Sequence, residues 1–256
     1  MEKDNKPKSV IEKLQNCIKS IKNTHFTDKV KDFVEPPELE KHTSQLRKRV
    51  ISSLIMIPFA VYAIFFSANL FLFFMIAATV LMVFEWCDMT QSVRGRTKWR
   101  LIGFLYITIP IFCLIKIRLI DADVLLWMFL VIWSSDICAY FTGKIIGGKK
   151  LAPSISPGKT WSGFFGALAL ATIVGLFTSF MFIGDMVFFI IISMIISIVS
   201  QISDLMESKF KRIFNVKDSG HIIPGHGGIL DRLDGVMLTS PLVLLLMTFA
   251  GKQFGL

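Results

Sequence analysis

Three aspartates towards the carboxyl terminus have the spacing of a metal site. Asp231 and Asp234 are three residues apart and share one face if they lie on a helix, and Asp204 precedes them by one loop. Asp204 lies near the end of one apolar segment and the pair near the start of the next, so antiparallel segments bring them together. Converging carboxylates repel unless a cation neutralises them, and oxygen ligands favour Mg²⁺ over zinc. The sequence therefore predicts a magnesium site made of Asp204, Asp231 and Asp234.

The loop between these aspartates carries groups that suit a phosphate. Gly225, Gly227 and Gly228 let the backbone approach a ligand closely, just before the predicted helix begins. Lys217 and Arg232 add positive charge for phosphate oxygens. These residues predict that a phosphorylated substrate binds beside the metal.

Other polar residues of this region have simpler interpretations. His221 and His226 suggest a zinc pair, but the sequence has no Cys or third His nearby, so His226 is interpreted as a hydrogen-bonding loop residue. Glu207 and Lys211 are four residues apart and are interpreted as an ion pair on a helix surface. Asp218 fits either a fourth metal ligand or a loop cap, and the spacing does not separate these two roles.

Two further polar clusters precede this region. Asp136 ends an apolar segment, where it is either a site residue or a packing residue paired with a loop lysine. In the following loop, Ser156, Lys159 and Thr160 precede a predicted helix start, whose free N–H groups favour phosphate. The alternative is an ordinary basic loop with a Ser or Thr helix cap. Gly158-Lys159-Thr160 is not a P-loop, because the first Gly and the preceding strand of that motif are absent.

The elements that position these residues are predicted to be transmembrane helices. Hydrophobic residues make up 53% of the 256 residues, and they come in blocks. A helix needs roughly 20 apolar residues to cross a hydrocarbon core of about 30 Å. The sequence thus predicts an all-α, polytopic transmembrane protein of about seven spans. The predicted spans are 50–67, 69–87, 101–117, 124–142, 162–182, 186–206 and 235–250.

The distribution of basic residues predicts the orientation of these spans. With the amino terminus in the cytoplasm, the inner loops between spans hold thirteen Lys and Arg residues and the outer segments hold three. The same side then carries all three polar clusters. Because basic inner loops account for the net charge of +9, that charge does not indicate a nucleic-acid partner.

Residues 1–46 form a polar segment, and 47–256 form the predicted transmembrane domain. The tail is interpreted as a weakly structured accessory extension, with a short amphipathic surface helix from Val10 to Ile21 as the alternative. No apolar stretch near Met1 resembles a signal peptide. The four cysteines are scattered singly, so neither a disulfide framework nor a zinc site is expected.

A run of 27 positions from Ser208 to Asp234 resembles the signature of the phosphatidate cytidylyltransferase (CDP-diacylglycerol synthase) family. The matching residues are Ser208-Lys209-Phe210-Lys211-Arg212, Lys217-Asp218, Pro224, His226-Gly227-Gly228 and Asp231-Arg232-Leu233-Asp234. The resemblance extends to Ser135-Asp136, Ala139-Tyr140, Ser156-Pro157 and Lys159-Thr160, and so covers about residues 47 to 250. Ser162 departs from the pattern, because many relatives carry an acidic or amide residue there.

This resemblance implies an enzyme that transfers CMP from CTP to phosphatidic acid and releases pyrophosphate. It implies Mg²⁺ as cofactor, a second, monovalent cation such as K⁺, a homodimer, and a site facing the cytoplasm from the inner (cytoplasmic) membrane. The catalytic residues would be Asp204, Asp231, Asp234 and Lys159, the three aspartates as metal ligands. The substrate-binding residues would be Asp136, Ser156, Thr160, Lys217, His226, Gly227, Gly228 and Arg232.

Two other functions fit the sequence less well. A CDP-alcohol phosphatidyltransferase also uses aspartates at a membrane surface, and Asp234-Gly235 begins its pattern, but the residues from Val236 to Leu246 supply no further Asp or Arg. An ion-coupled transporter would use Asp136 and Asp204 as cation ligands. The sequence shows no internal repeat and clusters its acids at one interface, which argues against that class.

Overall fold

The computed structural model describes residues 61–62, 64–182, 184–220 and 227–256, and this part of the chain is mainly helical. The predicted tail, most of the first predicted span, His221 and His226 lie outside the described residues. The helices are α1 (Ala68–Met89), α2 (Arg96–Ile120), α3 (Ala122–Ile145), α4 (Trp161–Ser179), α5 (Met186–Ile213), α6 (Leu230–Leu233), α7 (Val236–Phe249) and α8 (Gly251–Phe254). Two short strands, β1 (Lys150–Ala152) and β2 (Ser156–Thr160), lie between α3 and α4.

Helices α1 to α5 are long and apolar enough to cross a membrane. They confirm the second to sixth predicted spans, with bounds that differ by a few residues at most ends. The seventh predicted span corresponds to α7, a shorter apolar helix of 14 residues. A polytopic, α-helical architecture is therefore observed in the described residues.

Polar side chains cap the starts of three of the long helices. Ser67 accepts a hydrogen bond from the N–H of Leu70 at 3.1 Å and so caps α1. Asp121 caps α3, and Asp185 caps α5 in the same way. These residues satisfy N–H groups that have no partner within their own helix, which explains why each helix begins where it does.

Helix α4 packs closely against α3 and α5 through glycines. A methyl group added at Gly166 would lie 2.3 Å from the Thr142 hydroxyl, and one added at Gly175 would lie 2.8 Å from the Phe189 carbonyl. Small residues allow membrane helices to approach at backbone distance. The three helices therefore form a tight layer, and α3 and α5 carry Asp136 and Asp204 into the site.

The connection between α3 and α4 is a β-hairpin and not the irregular loop that the sequence analysis predicted. Strand β1 pairs with β2 in antiparallel register, with Lys150 opposite Thr160 and Ala152 opposite Ser156. The backbone N–H of Ile155 closes the turn on Ala152 at 3.2 Å. The pairing explains the difference, because it satisfies the backbone of a polar segment without a helix.

A hydrophobic cluster supports the end of the bundle near the motif that contains Asp231 and Asp234. Trp86 of α1 is almost fully buried, and its ring contacts the rings of Tyr106, Phe210 and Phe214. Its indole N–H donates to the Trp99 carbonyl at 2.8 Å. Leu230 and Met237 complete this cluster, so the short helix α6 rests on α1, α2 and α5.

Candidate active site

The hairpin and helix α5 are joined by an ion pair. The Lys159 ammonium, on β2, lies 2.6 Å from the Asp204 carboxylate and 3.4 Å from the Gln201 carbonyl. Both charged side chains are partly accessible, at 23% for Lys159 and 33% for Asp204. Two sequence motifs separated by more than 40 residues thus meet at one place, with a lysine directed at an aspartate.

Asp234 lies at the centre of a second set of charges. It follows α6, its carboxylate accepts the N–H of Gly235 at 2.7 Å, and its carbonyl accepts the Ser203 hydroxyl. Burial raises the pKa of Asp234, and the nearby carboxylates of Asp204 and Asp136 raise it further. Asp136, Asp204 and Asp234 come from three separate parts of the chain, and the charges of the first two act on the third.

Asp231 is in a different environment, although it is only three residues from Asp234. Its carboxylate accepts hydrogen bonds from the Lys211 ammonium at 2.8 Å, the Gly228 N–H at 3.0 Å and the Ser219 N–H at 3.1 Å. Burial alone would raise its pKa, but these donors outweigh burial and lower the pKa of Asp231. Asp231 is thus a satisfied carboxylate that ties α5 and two loop positions together.

The prediction that Glu207 and Lys211 form an ion pair is confirmed, but its placement on the helix surface is wrong. The Glu207 side chain is fully buried, with the Lys211 ammonium 3.2 Å from one oxygen. Neither Glu207 oxygen accepts a hydrogen bond within the described residues. Lys211 also binds Asp231, so the buried ion pair is linked to the segment that carries α6. The i, i+4 spacing identified the pair but could not show what covers it.

Glu85, which the sequence analysis did not select, is a buried carboxylate beside the same loop. It lies in α1 and is 3% exposed. It accepts the N–H of Ile229 at 2.9 Å, the N–H of Leu230 at 3.0 Å and the Ser219 hydroxyl at 3.2 Å. A lone Glu within the predicted span 69–87 was the available signal, because ionisable residues at membrane depth are rare and functional.

The glycines before α6 make room for these carboxylates. Gly227 has a φ of +81°, and a methyl group there would lie 2.7 Å from the Asp231 carboxylate. A methyl group at Gly228 would lie 2.0 Å from the Ser219 hydroxyl. The N–H of Gly228 already donates to Asp231. The backbone at these glycines thus approaches side chains of the protein itself closely. Contact of Gly227 and Gly228 with a substrate stays a prediction.

The remaining predicted residues occupy varied positions. Thr160 caps α4 by accepting the Gly163 N–H at 3.1 Å, and Ser156 lies in β2 opposite Ala152. The capping alternative is therefore observed for Thr160. Lys217 is exposed in the loop after α5, and Arg232 is exposed on α6 and interacts electrostatically with Asp136.

The three predicted metal ligands do not form one group in this structure. Within the ranges that the structure describes, no three Asp, Glu, His or Cys side chains are close enough together to hold a metal ion. Asp231 faces Lys211, whereas Asp204 faces Lys159 and lies near Asp234. A site made of all three aspartates stays a prediction.

Five of the described helices are long enough to cross a membrane, and lysines and carboxylates gather where three elements meet. This is the architecture expected of a membrane enzyme that handles phosphate groups. A family model identifies the class more closely. The chain belongs to the cytidylyltransferase family, whose family model matches residues 96–250.

Several bacterial proteins similar to this chain are phosphatidate cytidylyltransferases. Phosphatidate cytidylyltransferase of Rickettsia bellii is 41% identical over 214 residues, which cover 80% of this chain and 91% of that protein. The protein of the same description from Rickettsia typhi is 40% identical over 217 residues, covering 81% and 94%. That of Brucella suis is 39% identical over 180 residues, covering 68% and 63%. The resemblance found in the motifs is confirmed.

Proposed function

We propose that this protein is an enzyme that transfers CMP from CTP to phosphatidic acid and forms CDP-diacylglycerol for phospholipid synthesis. A phosphate oxygen of phosphatidic acid attacks the α-phosphorus of CTP, the bond from that phosphorus to the bridging oxygen breaks, and pyrophosphate leaves. The high identity to phosphatidate cytidylyltransferases over most of their length supports this reaction. The membrane-length helices suit a lipid substrate, and the polar end of the bundle suits a nucleotide.

The observation that carries the proposal is the meeting of Lys159 with Asp204 beside Asp234. The contact of 2.6 Å joins two of the motifs that define the resemblance, and the electrostatic effect on Asp234 joins the third. Phosphoryl-type transfer depends mainly on positioning and on neutralising phosphate charge. A basic group and a set of acidic groups at one place meet both needs, because one binds phosphate oxygens and the other retains a cation.

The donor set near Asp234 fits Mg²⁺. Asp204 and Asp234 supply carboxylate oxygens, the ligands that this ion prefers, and their repulsion would be relieved by a cation. We assign these two residues to the ion, which would neutralise triphosphate charge when bound. Asp231 already accepts hydrogen bonds from Lys211, Gly228 and Ser219, so its proposed role is to hold the residues before α6 beside the site. A monovalent cation stays a proposal by resemblance.

The basic residues would bind the substrate phosphates. Lys159 is partly accessible, so its ammonium is available to a phosphate oxygen as well as to Asp204. Arg232 and Lys217 are exposed and add charge near the same loop. Asp136 lies near enough to Arg232 to orient that guanidinium. Ser156, Thr160, His226, Gly227 and Gly228 complete the proposed substrate contacts.

The setting of the enzyme is part of the proposal. The excess of basic residues in alternate loops supports a cytoplasmic amino terminus and a site that opens to the cytoplasm. The bacterial relatives support the inner membrane as location. About seven spans and a homodimer complete the proposal, and nucleic acid is not a proposed partner.

Turnover of labelled substrate tests the proposed reaction. Purified protein in detergent micelles with phosphatidic acid, Mg²⁺ and CTP labelled in the α-phosphate should yield a labelled lipid. CTP labelled in the γ-phosphate should yield labelled pyrophosphate and an unlabelled lipid. A folded protein that labels no lipid from α-labelled CTP would contradict the proposal, and label transfer from the γ-position would identify a kinase instead.

A further inference from the structure

We propose that Glu85 is a positioning residue that holds Asp234 in place by fixing the start of helix α6. This inference deepens the proposed function, because it concerns the geometry of the same site. Glu85 lies 144 residues before Ile229 in sequence, yet its carboxylate contacts two consecutive backbone N–H groups there. The acidic residue of one helix therefore anchors the motif at the other end of the chain.

The partners of Glu85 are all hydrogen-bond donors. One oxygen accepts the N–H of Ile229 at 2.9 Å, and the other accepts the N–H of Leu230 at 3.0 Å and the Ser219 hydroxyl at 3.2 Å. A carboxylate has only acceptors, so it matches this set completely. Helix α6 has no capping side chain of its own, and Glu85 supplies the cap from α1.

Two of the three residues that donate to Glu85 are shielded from solvent. Leu230 is fully buried, and Ser219 is 4% exposed. A buried N–H group that loses its partner is left with an uncompensated desolvation cost, so the start of α6 would shift to regain a partner. The positions of Ile229 and Leu230 therefore depend on this carboxylate.

A shift at Leu230 would move the active-site carboxylate. Asp234 is four residues further on, one helical turn, and the Ser203 hydroxyl and the Gly235 N–H hold it at the far end. Asp231, in the same turn, takes the neighbouring Gly228 N–H and the Ser219 N–H. Glu85 and Asp231 thus occupy the three consecutive N–H groups from Gly228 to Leu230.

Close packing around Glu85 leaves little alternative for this segment. A methyl group at Gly220 would lie 2.9 Å from a Glu85 oxygen, and one at Gly228 would lie 2.7 Å from both. The loop on either side of residues 221–226 therefore approaches Glu85 at backbone distance. The Glu85 carboxylate therefore contacts residues on both sides of that segment.

Replacement of Glu85 by Gln tests this role. The variant E85Q keeps the side-chain size but places an amide donor against the N–H of Ile229 or the N–H of Leu230. We expect kcat to fall at least about tenfold per folded molecule, because displacement of a catalytic group by a fraction of an ångström has effects of this order. We also expect the Mg²⁺ concentration for half-maximal rate to rise, since Asp234 is a proposed ligand.

Two milder variants and a matched control complete the test. E85D keeps the charge and should retain more activity than E85Q, and S219A removes only one of the three contacts and should show a small loss in the same direction. D88N is the control, because Asp88 lies one turn along α1, is exposed and contacts Gln91 at 2.8 Å. D88N should match the unaltered protein in kcat and Mg²⁺ requirement.

The outcomes separate this inference from the proposed function. Normal Mg²⁺ dependence and kcat per folded molecule in E85Q would overturn the positioning role, even if the melting temperature fell. If E85Q does not fold, E85D and S219A decide by the same two readouts, and an unchanged Mg²⁺ requirement in both overturns the role. An unaltered protein that forms no CDP-lipid would instead refute the function.

Discussion

Asp231 and Asp234 are three residues apart on one short segment, and their surroundings are opposite. Asp231 receives hydrogen bonds from Lys211, Gly228 and Ser219, and these donors lower its pKa. Asp234 receives one from Gly235 and lies near Asp204 and Asp136, and its pKa is raised by burial and by those charges. The first carboxylate is satisfied by the fold, and the second is the one that we propose binds a ligand.

The difference teaches how one motif can serve structure and chemistry together. Groups that are fully hydrogen-bonded stabilise a fold. Like charges held close together destabilise it until a cation binds between them. The set around Asp231, which includes Glu85 and Lys211, fixes the loop. The set around Asp234 carries the unfavourable charge that a cation would relieve. Substitution of Asp234 should therefore mainly lower turnover, and substitution of Lys211 or Asp231 should mainly lower stability.

The largest effect is expected from Asp234→Asn. The substitution keeps the side-chain size and removes one charge from the proposed cation site, so turnover should fall by at least about a hundredfold. The folded fraction should stay the same, because an amide oxygen can still accept the Gly235 N–H. Turnover per folded molecule, measured beside the melting temperature in detergent, checks this. Near-normal turnover in a folded variant would remove Asp234 from the chemistry.

The next effect, on stability, is expected from Lys211→Met. Its ammonium lies 3.2 Å from Glu207 and 2.8 Å from Asp231, both largely buried, so its loss leaves two carboxylates without a cation. Breaking such a buried pair costs about 3 kcal/mol or more. Unfolding in detergent should show this loss, and the double variant Lys211→Met/Glu207→Gln should recover part of it. Equal stability of the single and double variants would show that Glu207 does not depend on Lys211.

A smaller effect is expected in the pH dependence of stability without metal. Folding raises the pKa of Asp234, so its contribution is unfavourable and grows as pH rises from the ordinary carboxyl range through the raised value. Asp234→Asn should therefore gain melting temperature over the unaltered protein between pH 5 and pH 8 in a chelator.

Asp231→Asn is the matched comparison for that experiment. Folding lowers the pKa of Asp231, so its favourable contribution is complete above the ordinary carboxyl range and is lost only in acid. Its melting temperature should lie below that of the unaltered protein by a constant amount from pH 5 to pH 8. The opposite result would be a difference in melting temperature that varies with pH for Asp231→Asn and is constant for Asp234→Asn. It would reverse the roles assigned to the two aspartates.

The smallest effect is expected outside both sets of carboxylates. A truncation that begins near Leu46 removes the polar tail, which contributes no residue to the motifs. Turnover should remain within about twofold of the full chain, since no group that binds phosphate or metal is lost. Loss of turnover in a truncated protein that still inserts and folds would contradict the accessory role of residues 1–46.

The sequence predicted five of the long helices and the family motifs correctly. Five apolar segments became membrane-length helices, because the length of an apolar block depends only on local composition. Asp204, Asp234 and Lys159 were selected from charge in an apolar chain, and the structure brings them together. The hairpin was missed because its strands are three and five residues long and polar, with no alternating pattern.

The roles within the site depended on contacts that spacing cannot express. Asp231 and Asp234 are equivalent on a helical face, but Lys211 approaches only Asp231. Glu207 looked exposed because i, i+4 pairs usually are, but it is fully buried, and its partner Lys211 also binds Asp231, 20 residues away. The role of Glu85 depends on its contact with Ile229, 144 residues away in sequence. Each case is a long-range contact, and a single sequence carries no direct signal of those.

Binding of Mn²⁺ in place of Mg²⁺, followed by electron paramagnetic resonance in the presence of CTP, tests the central claim most directly, because it needs no turnover. The account predicts that Asp234→Asn weakens Mn²⁺ binding by at least about tenfold, the loss of one charged ligand. Asp231→Asn, if folded, should bind within about threefold of the unaltered protein, since its carboxylate holds Lys211 and the loop. Strong loss in Asp231→Asn with unchanged binding in Asp234→Asn would contradict the account.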